Sequence, residues 1–172
     1  MTIDTERTAH RVDLETLATV TVLGPTLGYI TPVADDDAAP CVMRGEIPPG
    51  GIVGLHSHAE PETFVMLSGA VEGLSIGADG PRWSLLRRGE AFHVPGDAKH
   101  AFRNPSDEPA VMIIATTPRI GRFLREVAAS IETAVADGDP EAALWAFIET
   151  AERYGHWLAG PEENAAVGSA PG

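Results

Sequence analysis

Two histidines one residue apart, His56 and His58, close the run IVGLHSH. In an extended strand, residues i and i+2 project from one face about 6–7 Å apart along the chain. Two imidazoles so placed suit neighbouring positions on one metal ion. Glu62 follows four residues later, beyond the bend that Pro61 imposes, and His100 opens a later β segment from which it can reach the same point across a barrel. Three neutral imidazoles and a carboxylate form a nitrogen and oxygen set suited to a first-row divalent ion. Two strand histidines alone read equally well as packed or surface side chains.

Other candidates surround this set. Glu60 is the alternative carboxylate, at a less favourable offset from His58. His93 is expected to be a core residue or to orient a ligand from behind. His10 and His156 read as structural or surface groups, and Lys99 and Arg103 as solvated charges beside His100. Phe64, Met66, Phe102, Met112 and Ile114 have the parity to line a substrate pocket, although ordinary core packing explains each one singly.

The elements that must hold these groups are short. β-like runs at 19–23, 27–30, 41–47, 52–58, 63–76, 82–86, 91–94, 100–104 and 110–117 are separated by turn segments such as GADGP, RRGE, PGDAK and NPSDEP. Eighteen Gly and 14 Pro in 172 residues fit many turns. That spacing predicts an all-β sandwich or barrel. After Pro118 the period changes: Ile120, Phe123, Leu124, Val127, Ile131 and Val135 mark one face of a helix. Asp139 and Pro140 then suit the cap and first position of a second helix, which Gly160-Pro161 is expected to stop. The expected organisation is a flexible N-terminus (1–18), a barrel (19–118), a helical extension (119–160) and a disordered tail (161–172).

Composition narrows the partners. Twenty-five acidic against 12 basic residues give a net charge of -13, which disfavours nucleic acid. The Asp run within ADDDAAP (34–40) reads as a solvated loop. A lone cysteine, Cys41, forms no internal disulfide, and no apolar run approaches the roughly 20 residues that span a bilayer. The N-terminus, MTIDTERTAHRVDLETL, has no basic flank followed by an apolar stretch. A soluble, cytoplasmic protein without membrane partners is expected.

Two stretches resemble the signature motifs of the cupin superfamily. GGIVGLHSHAEPETFVMLSG carries Gly50, His56, His58, Glu62 and Gly69 at the first motif's spacing. GEAFHVPGDAKHAFRN carries Gly89, Pro95, His100 and Asn104 of the second, with Gly96 one place before the position where the family has glycine, here Asp97. The resemblance implies a conical jelly-roll barrel of two antiparallel sheets, with a helical extension outside the likeness. It implies one divalent transition metal (Fe, Mn, Ni, Co, Cu or Zn) on His56, His58, Glu62 and His100. An inward polar cluster of this kind is tolerable only when paired, which a metal achieves.

Within the family, the chain is similar to the quercetin dioxygenase-like group. Dioxygenase chemistry on a metal-bound enolisable or aromatic hydroxy-ketone is therefore the first functional expectation, with Glu62 as catalytic base. The alternatives are a non-oxidative cyclase or isomerase like the cupin polyketide cyclases, and a non-catalytic small-molecule binder. The extension is expected either to pack outside the barrel or to close its mouth with Phe123, Trp145 and Phe147. By analogy the chain forms a homodimer through its N-terminal strand.

Overall fold

The computed structural model describes residues 8–35 and 39–169. Residues 1–7 of the expected flexible N-terminus, residues 36–38 of the acidic loop, and 170–172 of the tail lie outside the described residues. Residues 8–18 contain no helix or strand, but Leu17 lies against Gly28 and so attaches this stretch to the barrel.

Ten strands precede the helices: β1 (Val20–Thr21), β2 (Thr26–Tyr29), β3 (Cys41–Ile47), β4 (Ile52–Ser57), β5 (Glu62–Ser68), β6 (Ala70–Gly77), β7 (Gly80–Arg87), β8 (Ala91–Val94), β9 (His100–Arg103) and β10 (Ala110–Thr116). Then come α1 (Pro118–Ala136), α2 (Pro140–Arg153), β11 (Trp157–Leu158) and α3 (Pro161–Val167). The strands form two antiparallel sheets, β1-β2-β3-β10-β5-β8 and β11-β4-β9-β6-β7. This is the expected all-β barrel with a C-terminal helical extension.

Alternation builds the interior. In β3, Cys41, Met43, Gly45 and Ile47 face inward, and in β10 Ala110, Met112, Ile114 and Thr116 do the same, while the residues between them are only half-buried. Each large apolar side chain so removed from water contributes roughly 1.5–3 kcal/mol. The predicted single run 63–76 is two strands, because Gly69 turns the chain with φ 67°. A β-carbon there would lie 2.2 Å from the Pro109 carbonyl oxygen. Asn104, 1% exposed, ties the neighbouring loops by donating to the carbonyls of Ile47 and Glu108 and accepting from Ser106.

The extension departs from expectation in two places. The second helix ends at Arg153, not at Gly160, because Gly155 takes φ 75° and turns the chain into β11. At its start, Asp139 accepts a hydrogen bond from the Ala142 amide at 2.9 Å, as the cap should. The segment expected as a disordered tail forms α3, which is held by partners distant in sequence. The Leu55 amide donates to Asn164 Oδ1, Trp83 Nε1 donates to the Val167 carbonyl, and Arg103 donates to the Gly168 carbonyl. Lys99 and Arg103 are therefore not simply solvated charges. Lys99 sits 3.7 Å over the Trp157 ring, and Arg103 pairs with Glu72 at 2.6 Å.

Gly69→Ala should cost at least about 2 kcal/mol of unfolding free energy, since the new methyl group meets both a left-handed backbone and a carbonyl oxygen. Urea denaturation checks it, and an unchanged midpoint would show that the β5–β6 turn relaxes freely.

Candidate metal centre and cavity

β4 and β9 are antiparallel neighbours with His56 opposite His100, which brings two imidazoles together across one sheet. Their ring centroids are 4.1 Å apart. His58 lies just past the end of β4, and its ring is 5.6 Å from that of His56 and 5.3 Å from that of His100. Glu62 opens β5 in the opposite sheet and faces them. The structure thus assembles all four predicted ligands between the two sheets.

The three imidazoles share one device. The Nδ1 of His56 bonds the Gly54 carbonyl at 2.8 Å, that of His58 the Glu60 carbonyl at 2.9 Å, and that of His100 the Ala98 carbonyl at 2.9 Å. A carbonyl only accepts, so each Nδ1 carries the proton and each neutral ring presents Nε2 as a lone pair. Ligating atoms of the three rings lie within 4.8 Å of one another. Glu62 Oε2 stands 3.3 Å from His58 Nε2 and 3.5 Å from His100 Nε2, longer than a charge-assisted hydrogen bond. Buried His100 Nε2 has no hydrogen-bond partner among the described residues. Lone pairs and a carboxylate that converge in this way repel one another unless a cation lies between them, and the donor set fits a divalent metal.

Electrostatics follow the same lines. Burial, with the neighbouring His100, pushes His56 down to about 3, so its ring is neutral at ordinary pH. For Glu62, burial acts to raise the pKa, but the closeness of the His100 and His58 rings outweighs it and holds the carboxyl at about 2. For His58, burial acts downward and is outweighed by Glu62, so its pKa rises above the ordinary histidine value.

The structure separates the two carboxylates. Glu60 turns away: Oε1 pairs with the Arg119 guanidinium, and Oε2 lies 3.8 Å from the Nδ1 edge of His58, behind the lone pair. Asp97, where the family motif has glycine, adopts the left-handed backbone with φ 65°. Aspartate tolerates that conformation, and the Asp97 amide donates to the His58 carbonyl at 2.7 Å, so the turn is kept.

Above the four residues lies a cavity of about 1040 Å³. Phe64, Phe102, Met112 and Ile114 line it as expected, and Phe123 and Phe147 of the extension close it from above. Three expected residues do not reach the cavity. Met66 has inward parity but sits further along β5, beside the Gly89–Glu90 turn, where it is packed core and not cavity wall. His93 points outward, because it pairs with Thr63 on the face opposite to Glu62, and its Nδ1 meets the Thr63 hydroxyl at 2.9 Å. Trp145 is 55% exposed and faces away from the cavity. His10 is exposed, as expected.

One residue gains importance. His156 is only 8% exposed and lines the cavity, with its ring 5.1 Å from that of His58 and 4.2 Å from that of Phe123. Its Nε2 is buried without a partner among the described residues. Burial, and the closeness of His58, hold its pKa down at about 4. No motif marks it in the sequence. The available signal was Gly155, a helix stop that directs the next residue inward.

Residues 43–116 match the family model described as Cupin domain. The chain is 34% identical over 107 residues to polyketide synthase CurC of Streptomyces cyaneus, an alignment covering 62% of this chain and 59% of that protein. It thus spans about three fifths of the length of that curated relative. Among solved structures, the polyketide cyclase RemF of Streptomyces resistomycificus superposes with a TM-score of 0.56 at 18% identity, over 64% of this chain and 80% of that one. An RmlC-like cupin of Shewanella frigidimarina gives 0.52 at 15% identity, over 64% and 92%. No helix among the described residues is long and apolar enough to cross a membrane.

Metal uptake should depend on pH through His58. Its pKa is raised, so below that value the imidazolium competes with the ion, and apparent affinity should fall by about tenfold per pH unit of acidification. Glu62 causes the rise, so Glu62→Gln should weaken binding at neutral pH and also move this transition to lower pH. Zinc titrations from pH 5 to 8 check both. A transition left in place by Glu62→Gln would show that Glu62 does not set the His58 proton affinity.

Proposed function

We propose, taking the cupin domain of the barrel as premise, that this chain is a divalent-metal-dependent enzyme acting on an enolisable, oxygen-bearing aromatic or polyketide substrate without oxidation, as a cyclase or isomerase. One observation carries the reading. Three imidazoles pinned through Nδ1 aim their lone pairs, beside an ionised glutamate, into a large and mostly apolar cavity. Catalytic and ligand sites are typically apolar clefts with a few convergent polar groups. The similarity to a protein named as a polyketide synthase supports the substrate class.

The sequence favours a quercetinase-like dioxygenase over this alternative. The curated relative weighs the other way: it is a protein named as a polyketide synthase at 34% identity, while the 18% identity to an oxalate oxidase speaks for fold alone.

His56, His58 and His100, with Glu62, would hold the ion, which when bound supplies Lewis acidity toward a carbonyl or enol oxygen. The residues of the chain do the rest. The carbonyls of Gly54, Glu60 and Ala98 fix the imidazoles so that no ring must reorient. Glu62 stays ionised at neutral pH and is placed to accept a proton from a substrate carbon or hydroxyl. Phe64, Phe102 and Ile114 below, with Phe123 and Phe147 above, hold the apolar body and exclude water. The edge strand β1 offers a place for a second copy to add its sheet, so a homodimer is part of the proposal.

Untagged protein should contain one divalent ion per chain by elemental analysis, and His100→Ala should lower its affinity at least about tenfold. Turnover of polyketide-like hydroxy-ketones should be the same with and without dioxygen. Turnover that stops under anaerobic conditions would return the assignment to a dioxygenase, and tight binding with no turnover would leave a binding protein.

A further inference from the structure

We infer that His156 is a substrate-positioning residue, a hydrogen-bond partner for a polar oxygen on the substrate next to the oxygen held at the His56–His58–His100 site. The inference rests on the proposed function in requiring a ligand at that site, and it adds what the ligand must carry.

Three observations converge on it. Nε2 of His156 is buried and has no partner among the described residues, although its ring lines the cavity. Such an atom is costly to bury alone and is satisfied when a ligand brings a donor or acceptor. The imidazole is also fixed from both sides. Its amide donates to the Ala151 carbonyl at the end of α2, and the next two residues pair with Ser57 and His56 of β4. Phe123 packs against the ring at 4.2 Å. A side chain held this firmly by a helix, a strand and an aromatic ring is preorganised for recognition.

Position then limits the ligand. The His156 and His58 rings are 5.1 Å apart, while the Phe64, Phe102, Phe123 and Phe147 walls offer only apolar surface. Thr26, Glu46, Asn164 and Ser169 also line the cavity, but the polar groups of a ligand that meet both rings must lie on one edge. The geometry fits a flat apolar body with adjacent oxygens, one for the three-histidine site and a further one for His156. A neutral imidazole nitrogen serves a hydroxyl as donor or as acceptor. Specificity of this kind is strong, because a ligand lacking the second oxygen leaves the nitrogen unpaired.

Full-length, zinc-loaded protein titrated with 1,8-dihydroxyanthraquinone and with 1-hydroxyanthraquinone, followed by tryptophan fluorescence, tests it. The wild type should prefer the dihydroxy compound by about tenfold, the size of one buried hydrogen bond. His156→Phe should bind both compounds alike, with affinity for the monohydroxy compound and zinc content unchanged, and His156→Gln should recover part of the preference. Should His156→Phe melt below the wild type, His156→Leu is scored in its place. A preference that survives the substitution, or an equal weakening toward both compounds, overturns the inference while leaving the proposed function standing. Loss of zinc would make His156 a ligand and overturn it too. A zinc-loaded wild type that binds neither compound removes the inference and the proposed substrate class together.

Discussion

Three nitrogen lone pairs and a carboxylate are forced together in a place that water scarcely reaches. Each neutral imidazole has spent its proton on a backbone carbonyl, so among the described residues a bound cation would be what relieves the crowding. The barrel can be understood as the scaffold for that constraint. One sheet supplies His56 and His100 from strands in register, and the other supplies Glu62 from the start of β5, so the site exists only when both sheets close. A single strand or hairpin could not hold the four groups at this spacing against their mutual repulsion.

The extension acts on the same constraint from above. Helix α1 buries Ile120, Phe123 and Val127, and after α2 the chain returns to pair β11 with β4 opposite His56 itself. Roof and ligand strand are therefore mechanically joined. This answers which of the two expectations for the helices holds. They pack on the barrel and they also wall its cavity, through Phe123 and Phe147, while Trp145 faces outward.

Much of this was legible in the sequence because local rules decided it. Alternation placed the strands within a residue or two, turn residues separated them, and Asp139-Pro140 marked a helix start that the structure keeps. The four residues of the candidate centre were legible from strand parity and motif spacing. What escaped was tertiary. Parity said that Met66 faces inward but not how far along the barrel the cavity reaches. His93 belongs to the motif stretch yet lies on the outer face of β8. His156 and α3 gain their roles only through docking against residues about a hundred positions earlier, such as Leu55 and His58, and no local pattern encodes that.

The fates of Glu60 and Glu62 show how far the extension reaches into the chemistry. Both carboxylates are buried within two residues of one another and beside the same histidine. Were both to face the imidazoles, two negative charges would cancel the charge of a divalent ion and leave little pull on a substrate oxygen. Arg119, at the start of α1, prevents this by taking Oε1 of Glu60, and it is itself anchored to the Tyr154 carbonyl at the end of α2. One carboxylate is thus assigned to the helices and the other to the histidines. A divalent ion held there would keep one positive charge, because a residue from outside the barrel neutralises the competing anion, so the extension would set the charge of the centre as well as covering it.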